Sequence, residues 1–159
     1  MNRNEDSGRW DDRLILGIPV IDKQHKDLLR IINNLHFTCL KTAESGNYRL
    51  MQAAYEAVGY IKHHFNTEEK LMGLLGFSGF SHHKREHENF LKELLNRYNQ
   101  FQEDNNFVPN SFVSLLKEWA LSHIEVYDRV FADFLLNMKH HEKIKLILAK
   151  ESLLAANPA

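Results

Sequence analysis

Apolar residues recur along this chain at intervals of three and four, the period of helices that bury one face. From Asp22 to about Ala43 the pattern runs through Leu28, Leu29, Ile32 and Leu35. Pro19 lies just ahead of it. Asp22 is the expected N-cap, because its carboxylate can accept from the free N–H groups of a first turn. Ser45-Gly46-Asn47 breaks the pattern, and a second periodic stretch spans about Tyr48 to Leu75, ending at Gly76-Phe77-Ser78-Gly79. A third starts near Ser81 and continues through Phe90, Leu91, Leu94, Tyr98 and Phe101. Glu103 to Asn110 is polar and contains a proline, so it reads as a loop. The fourth stretch begins near Ser111 and carries Leu115, Leu116, Trp119 and Phe131 as inward residues.

Four long helices with short connections and no strand-like alternation predict an all-α fold, an antiparallel up-down-up-down four-helix bundle. The helical pattern continues past Phe134 through Ile144, Leu146, Ile147 and Leu148, and fades in the tail Ala155 to Ala159. Residues 1–136 are therefore expected to form the bundle domain, and 137–159 an extended C-terminal helix or linker. That extra helix can cover the bundle, make a homo-oligomer interface or lead to a signalling domain.

Composition narrows the class without naming a chemistry. A length of 159 residues suits one domain with a core of its own. A net charge of −1 offers no broad basic surface for nucleic acid or anionic membrane. No apolar run reaches the roughly 20 residues needed to span a bilayer. Met1 to Arg9 is polar, with no apolar signal core. The single cysteine, Cys39, has no internal partner, so the expected compartment is the cytoplasm. The 10 histidines are what stand out, because several are clustered.

Side chains four apart on a helix share a face. His64 and Glu68 have that spacing on the second helix, and His83 and His87 on the third. His123 and Asp128 lie on the fourth. His25 falls on the stripe of Leu28, Leu29 and Ile32 on the first. One His-x-x-x-Glu pair is ordinarily a surface ion pair, and a lone His25 or Asp128 a solvated residue. Four helices that each send such a group inward are a different matter, since a buried charge needs a partner or a metal. His63 and Glu69 flank the stripe and are expected to be solvated. His82 with Glu86 forms a weaker pair on the neighbouring face. His36 lies about 16 Å further along the first helix than His25, too far for the same ions. His140 and His141 lie beyond the bundle core and read as surface residues.

Five imidazoles and two carboxylates exceed the four ligands of one tetrahedral zinc. Two octahedral ions sharing carboxylates would use them all. The mixture suits iron, with manganese and zinc still open. The two Glu-x-x-His motifs of ferritin-like di-iron proteins are missing. His123 and Asp128, five apart, diverge by about 140° on a regular helix. An irregular, π-like turn is expected between them.

The segments WDDRLILGIPVIDKQHKDLL, HFNTEEKLM, HHKREHENF and WALSHIEVYD resemble the hemerythrin family, in its bacterial single-domain and sensor-domain branch. The likeness covers roughly Trp10 to Phe131. It implies two iron ions, one held by His83, His87 and His123, the other by His25 and His64 with a position left open. Glu68 and Asp128 would bridge them together with an oxo or hydroxo group. The implied activity is reversible binding of dioxygen, as a carrier or as an oxygen or redox sensor domain, and not as an enzyme. Phe65 and Ile124 match family pocket positions, and Trp119 would complete the wall. Two positions depart from the pattern. Ala120 stands where relatives often have leucine, which predicts an opened pocket and faster autoxidation. Phe131 stands where tyrosine is common, with Tyr127 as the available substitute hydroxyl. The alternatives are a di-iron enzyme that reduces peroxide or nitric oxide, or an iron storage module.

Overall fold

A computed structural model of the chain describes residues 11–41, 47–103, 109–138, 146–147 and 149–150. After a short 3-10 turn, Asp12–Leu14, come α1 (Pro19–Lys41), α2 (Asn47–Leu75), α3 (Phe80–Glu103) and α4 (Pro109–His123). A π-helical turn, Ile124–Asp128, then leads without interruption into α5 (Arg129–Leu136). Because α4, the π turn and α5 form one rod, the chain is a four-helix bundle, with α1 packed on α2 and α4, and α2 on α3. Stacking of Phe90 on Trp119 ties α3 to α4. No strand occurs among the described residues.

The apolar stripes become the core as the 3.6-residue period requires: Leu28, Ile32, Leu35, Ala57, Ile61, Leu71, Leu94 and Leu116 are all buried. One expected cap is different. Helix α1 starts at Pro19, where a missing N–H costs nothing, so Asp22 lies inside the first turn. Its carboxylate turns back and accepts from the N–H groups of Leu16 (2.8 Å) and Gly17 (3.0 Å). Gly17 has φ +81°, a conformation open to glycine, and this folds the preceding segment onto the helix start. Arg129 holds the same segment from the other side by donating to the carbonyls of Ile15 (3.1 Å) and Arg13.

The α2–α3 corner is equally local in origin. Gly76 (φ +67°) ends α2, and the Phe77 N–H reaches back to the Met72 carbonyl at 3.0 Å, a Schellman closure. Phe77 then packs on Phe131 and Phe134. This tight reversal brings the first turns of α3 alongside the last turns of α2. At the other end, the rod does not run on unbroken. It stops at Leu136, where the Asn137 N–H bonds the Asp133 and Leu135 carbonyls. Leu146, Ile147, Ala149 and Lys150 are helical again, and Ile147 packs against the core. His140, His141 and the tail 155–159 lie outside the described residues.

Candidate metal centre

Each helix contributes to one buried level of the bundle. His25 comes from α1, His64 and Glu68 from α2, His83 and His87 from α3, His123 from the end of α4 and Asp128 from the end of the π turn. None of the seven is more than 2% exposed. The π turn is what makes the last pair possible. Its i→i+5 bond, from the Arg129 N–H to the Ile124 carbonyl, widens the helix so that five residues make about one full turn. His123 and Asp128 therefore face the same way, as their awkward spacing predicts.

The donors fall into two overlapping groups, each with its ligand atoms within 4.8 Å of one another: Glu68, His83, His87, His123 and Asp128, and His25, His64, Glu68 and Asp128. The two carboxylates belong to both. Asp128 spans the groups, with Oδ1 at 3.1 Å from the Nε2 atoms of His83 and His123, and Oδ2 at 3.1 Å from that of His25. Glu68 Oε2 lies 3.3 Å from His87 and 3.6 Å from both His64 and His83, while Oε1 faces His25 at 3.9 Å.

Two observations test whether these residues fit metal. The first is orphaned polarity: both carboxylates and both nitrogens of His25 are buried without a properly oriented hydrogen bond among the described residues. Such groups are costly in a dry core. Lone pairs that converge on a common point rather than on donors are what a cation satisfies. The second is spacing. The Nε2 atoms of His83, His87 and His123 are mutually 3.0–3.1 Å apart. With metal–nitrogen bonds of about 2.1 Å, adjacent octahedral positions lie about 3.0 Å apart, and tetrahedral positions about 3.4 Å. The three imidazoles thus match one face of an octahedron. A closed tetrahedral zinc site is disfavoured by the same number.

Electrostatics within the cluster are strongly coupled. Burial lowers His64 to about 4, so its imidazole is neutral. Burial also opposes charge on His83, but the close negative carboxylates of Asp128 and Glu68 outweigh it and raise His83 to about 9. Burial and the facing Asp128 charge would raise Glu68, yet His64, His83 and His87 hold it below the carboxylate range. Asp128, likewise opposed by burial, is held well down by His123, His25 and His83. The surrounding imidazoles thus favour the ionised form of both carboxylates.

Outside the donors lie residues that the sequence pattern misses. The Gln24 amide nitrogen donates to Thr67 Oγ1 (3.0 Å) and His63 Nε2 (3.1 Å), which leaves its carbonyl to accept from His64 Nδ1 (3.1 Å). His64 therefore carries its proton on Nδ1 and turns a bare Nε2 inward. Glu69 is not the solvated companion its position suggests. It is partly buried, accepts from His87 Nδ1 at 3.2 Å and is held by Lys84 Nζ at 3.1 Å. His63 is exposed as expected, though bonded to Gln24.

Aromatic rings close the centre. Phe65 stacks on His87 at 3.7 Å, and Trp119 on both His123 (4.4 Å) and Phe90 (3.8 Å). Ala120 and Ile124 are fully buried, so the short side chain at 120 is not itself open to solvent. Phe131 is buried against Phe77. Tyr127 stacks on His123 at 5.2 Å.

Residues 16–135 match the family described as the hemerythrin HHE cation binding domain. Bacteriohemerythrins of Stenotrophomonas maltophilia and Pseudomonas aeruginosa are each 33% identical over 126 residues, covering 78% of this chain and 78% of their own. That of Aquifex aeolicus is 30% identical over 116 residues, covering 70% of this chain and 85% of its own. Among solved structures, wild-type hemerythrin aligns with a TM-score of 0.72 at 22% identity, over 79% of this chain and 95% of its own. That last likeness speaks for the bundle alone. No described helix is long and apolar enough to cross a membrane.

Proposed function

This chain belongs to the hemerythrin family, and on that premise we propose that it binds dioxygen reversibly at a non-haem centre of two irons, as a carrier or as the oxygen-responsive domain of a sensor. The observation that carries the reading is the pair of donor groups sharing two buried carboxylates. His83, His87 and His123 would hold one iron and His25 and His64 the other, with Glu68 and Asp128 joining them. Iron held by these residues in the ferrous state would supply the two electrons that reversible dioxygen binding requires.

The residues support binding rather than turnover in three ways. Five imidazoles are neutral donors, so the shell carries only the two negative charges of Glu68 and Asp128. That limits its stabilisation of highly charged iron, in contrast to a carboxylate-rich shell. The His25–His64 group has one donor fewer than its neighbour, which leaves room for a small ligand on that side. Phe65, Trp119, Ala120 and Ile124 exclude water from the centre and so slow escape of reduced oxygen. Ala120 offers less bulk than leucine would, and we expect faster autoxidation than in a leucine-lined relative. Residues 137–159 would be an appended helical segment, outside the donor set.

Anaerobic titration with ferrous ion tests the count. Two equivalents per chain are expected, and one equivalent, or none, contradicts a two-iron centre.

A further inference from the structure

The two halves of the centre differ in the partners that stand behind their imidazoles. Behind His87, at 3.2 Å from Nδ1, is the Glu69 carboxylate. Behind His64, at 3.1 Å from Nδ1, is the neutral carbonyl of Gln24. An anionic acceptor draws the N–H proton outward and leaves the inward nitrogen a stronger donor, which favours a more highly charged metal. An amide acceptor does much less. Both contacts are fixed by further bonds, Glu69 by Lys84 and the Gln24 amide by Thr67 and His63. Lys84 offsets part of the Glu69 charge, but its side chain is 44% exposed while that of Glu69 is 20% exposed. Solvent screens the ammonium more than the carboxylate, so a net negative influence on His87 remains.

We propose that Glu69 and Gln24 are positioning residues that make the two halves electronically unequal: the three-histidine half is biased toward ferric iron and the two-histidine half toward ferrous. This rests on the two-iron reading above and extends it. The half with the open position would then be reduced first and the three-histidine half second. The difference in donor number adds to the bias, and the outer pair makes it adjustable. His25 and His123 have no hydrogen-bond partner at Nδ1 among the described residues, whereas His87 and His64 each have one.

Reductive titration of the iron-loaded chain, followed by visible absorbance and by the odd-electron resonance of the half-reduced form, reads the two steps separately. Wild type should give two resolved one-electron steps. Glu69→Gln keeps an acceptor for His87 but removes the charge, and should raise the second step while leaving the first in place. Gln24→Glu should lower the first and leave the second. The expected change is about tenfold or more in ferric-over-ferrous preference, or about 59 mV per tenfold for one electron. A merely structural role for either residue would not move opposite steps in opposite directions. Iron content and thermal midpoint are measured on the same samples. Steps that shift together, or not at all, with two irons retained defeat this proposal alone. Loss of iron from Glu69→Gln also overturns it, because Glu69 would then hold the site together rather than tune it. A wild-type chain that takes up fewer than two irons defeats the underlying reading and this proposal with it.

Discussion

His83 holds a proton that any metal must displace. Below about 9 its imidazole is charged between Asp128 and Glu68, and a ligand must be neutral. Iron affinity is therefore expected to rise with pH between about 7 and 9, roughly tenfold per unit for one proton released, and to level off above. Competition titrations against a chelator across that range check it, and a flat profile would contradict it. The metal-free chain should show two opposing slopes. His64 is depressed to about 4, so the unfolded state binds more protons below its ordinary value of about 6.5, and stability falls with acid. His83 is raised, so its contribution is complete below about 6.5 and is lost as pH climbs through about 9. A stability maximum near neutrality follows, measurable by denaturant midpoints at each pH. Iron should abolish the alkaline slope, because a ligated imidazole has no proton left to lose. At this scale the clustering of the seven histidine and carboxylate side chains is legible from spacing and family likeness. Gln24 and Glu69 are not: their partners lie 40 and 18 residues away, and only the folded bundle sets those distances.

The π turn is the element on which the centre depends. Its presence was readable because His123 and Asp128 are five apart and a regular helix cannot aim both inward. What it does can be tested by changing its length. One alanine inserted after Val126, an exposed position, should rotate Asp128 by about 100° and remove the shared carboxylate, with iron content falling below two. Deleting Val126 should be tolerated, since a four-residue spacing on a regular helix restores a common face. Iron counts on the two variants decide it, and equal loading in both would refute this geometry. The start of α1 was less legible. Asp22 has the composition of a cap, but Pro19 at the first position moves the helix boundary upstream, and the freed carboxylate gathers loop N–H groups instead. Asp22→Ala should cost about 1–3 kcal/mol in unfolding free energy through those two bonds, while changing neither end of α2 nor α3.

For the molecule as a whole, the metal centre and the fold support each other. Four apolar stripes bring the helices together, and that packing forces seven polar groups into a dry interior. Ions that satisfy those groups should stabilise the bundle. At free iron about a hundredfold above the dissociation constant, linkage gives roughly 2.7 kcal/mol, or on the order of 10 °C in thermal midpoint for a domain of this size. Bundle architecture was readable from periodicity, since each helix keeps one apolar face over several turns. A boundary at 136/137 was readable, but not that the helix is interrupted there, because the helical pattern resumes beyond it. The central claim, a paired-iron centre that takes up and releases dioxygen, is met most directly by one absorption experiment. Protein loaded anaerobically with ferrous iron is exposed to air and then purged with inert gas. A visible band that rises with oxygen and vanishes on purging, over repeated cycles, is the predicted result. A ferric spectrum that purging cannot reverse would contradict reversible binding.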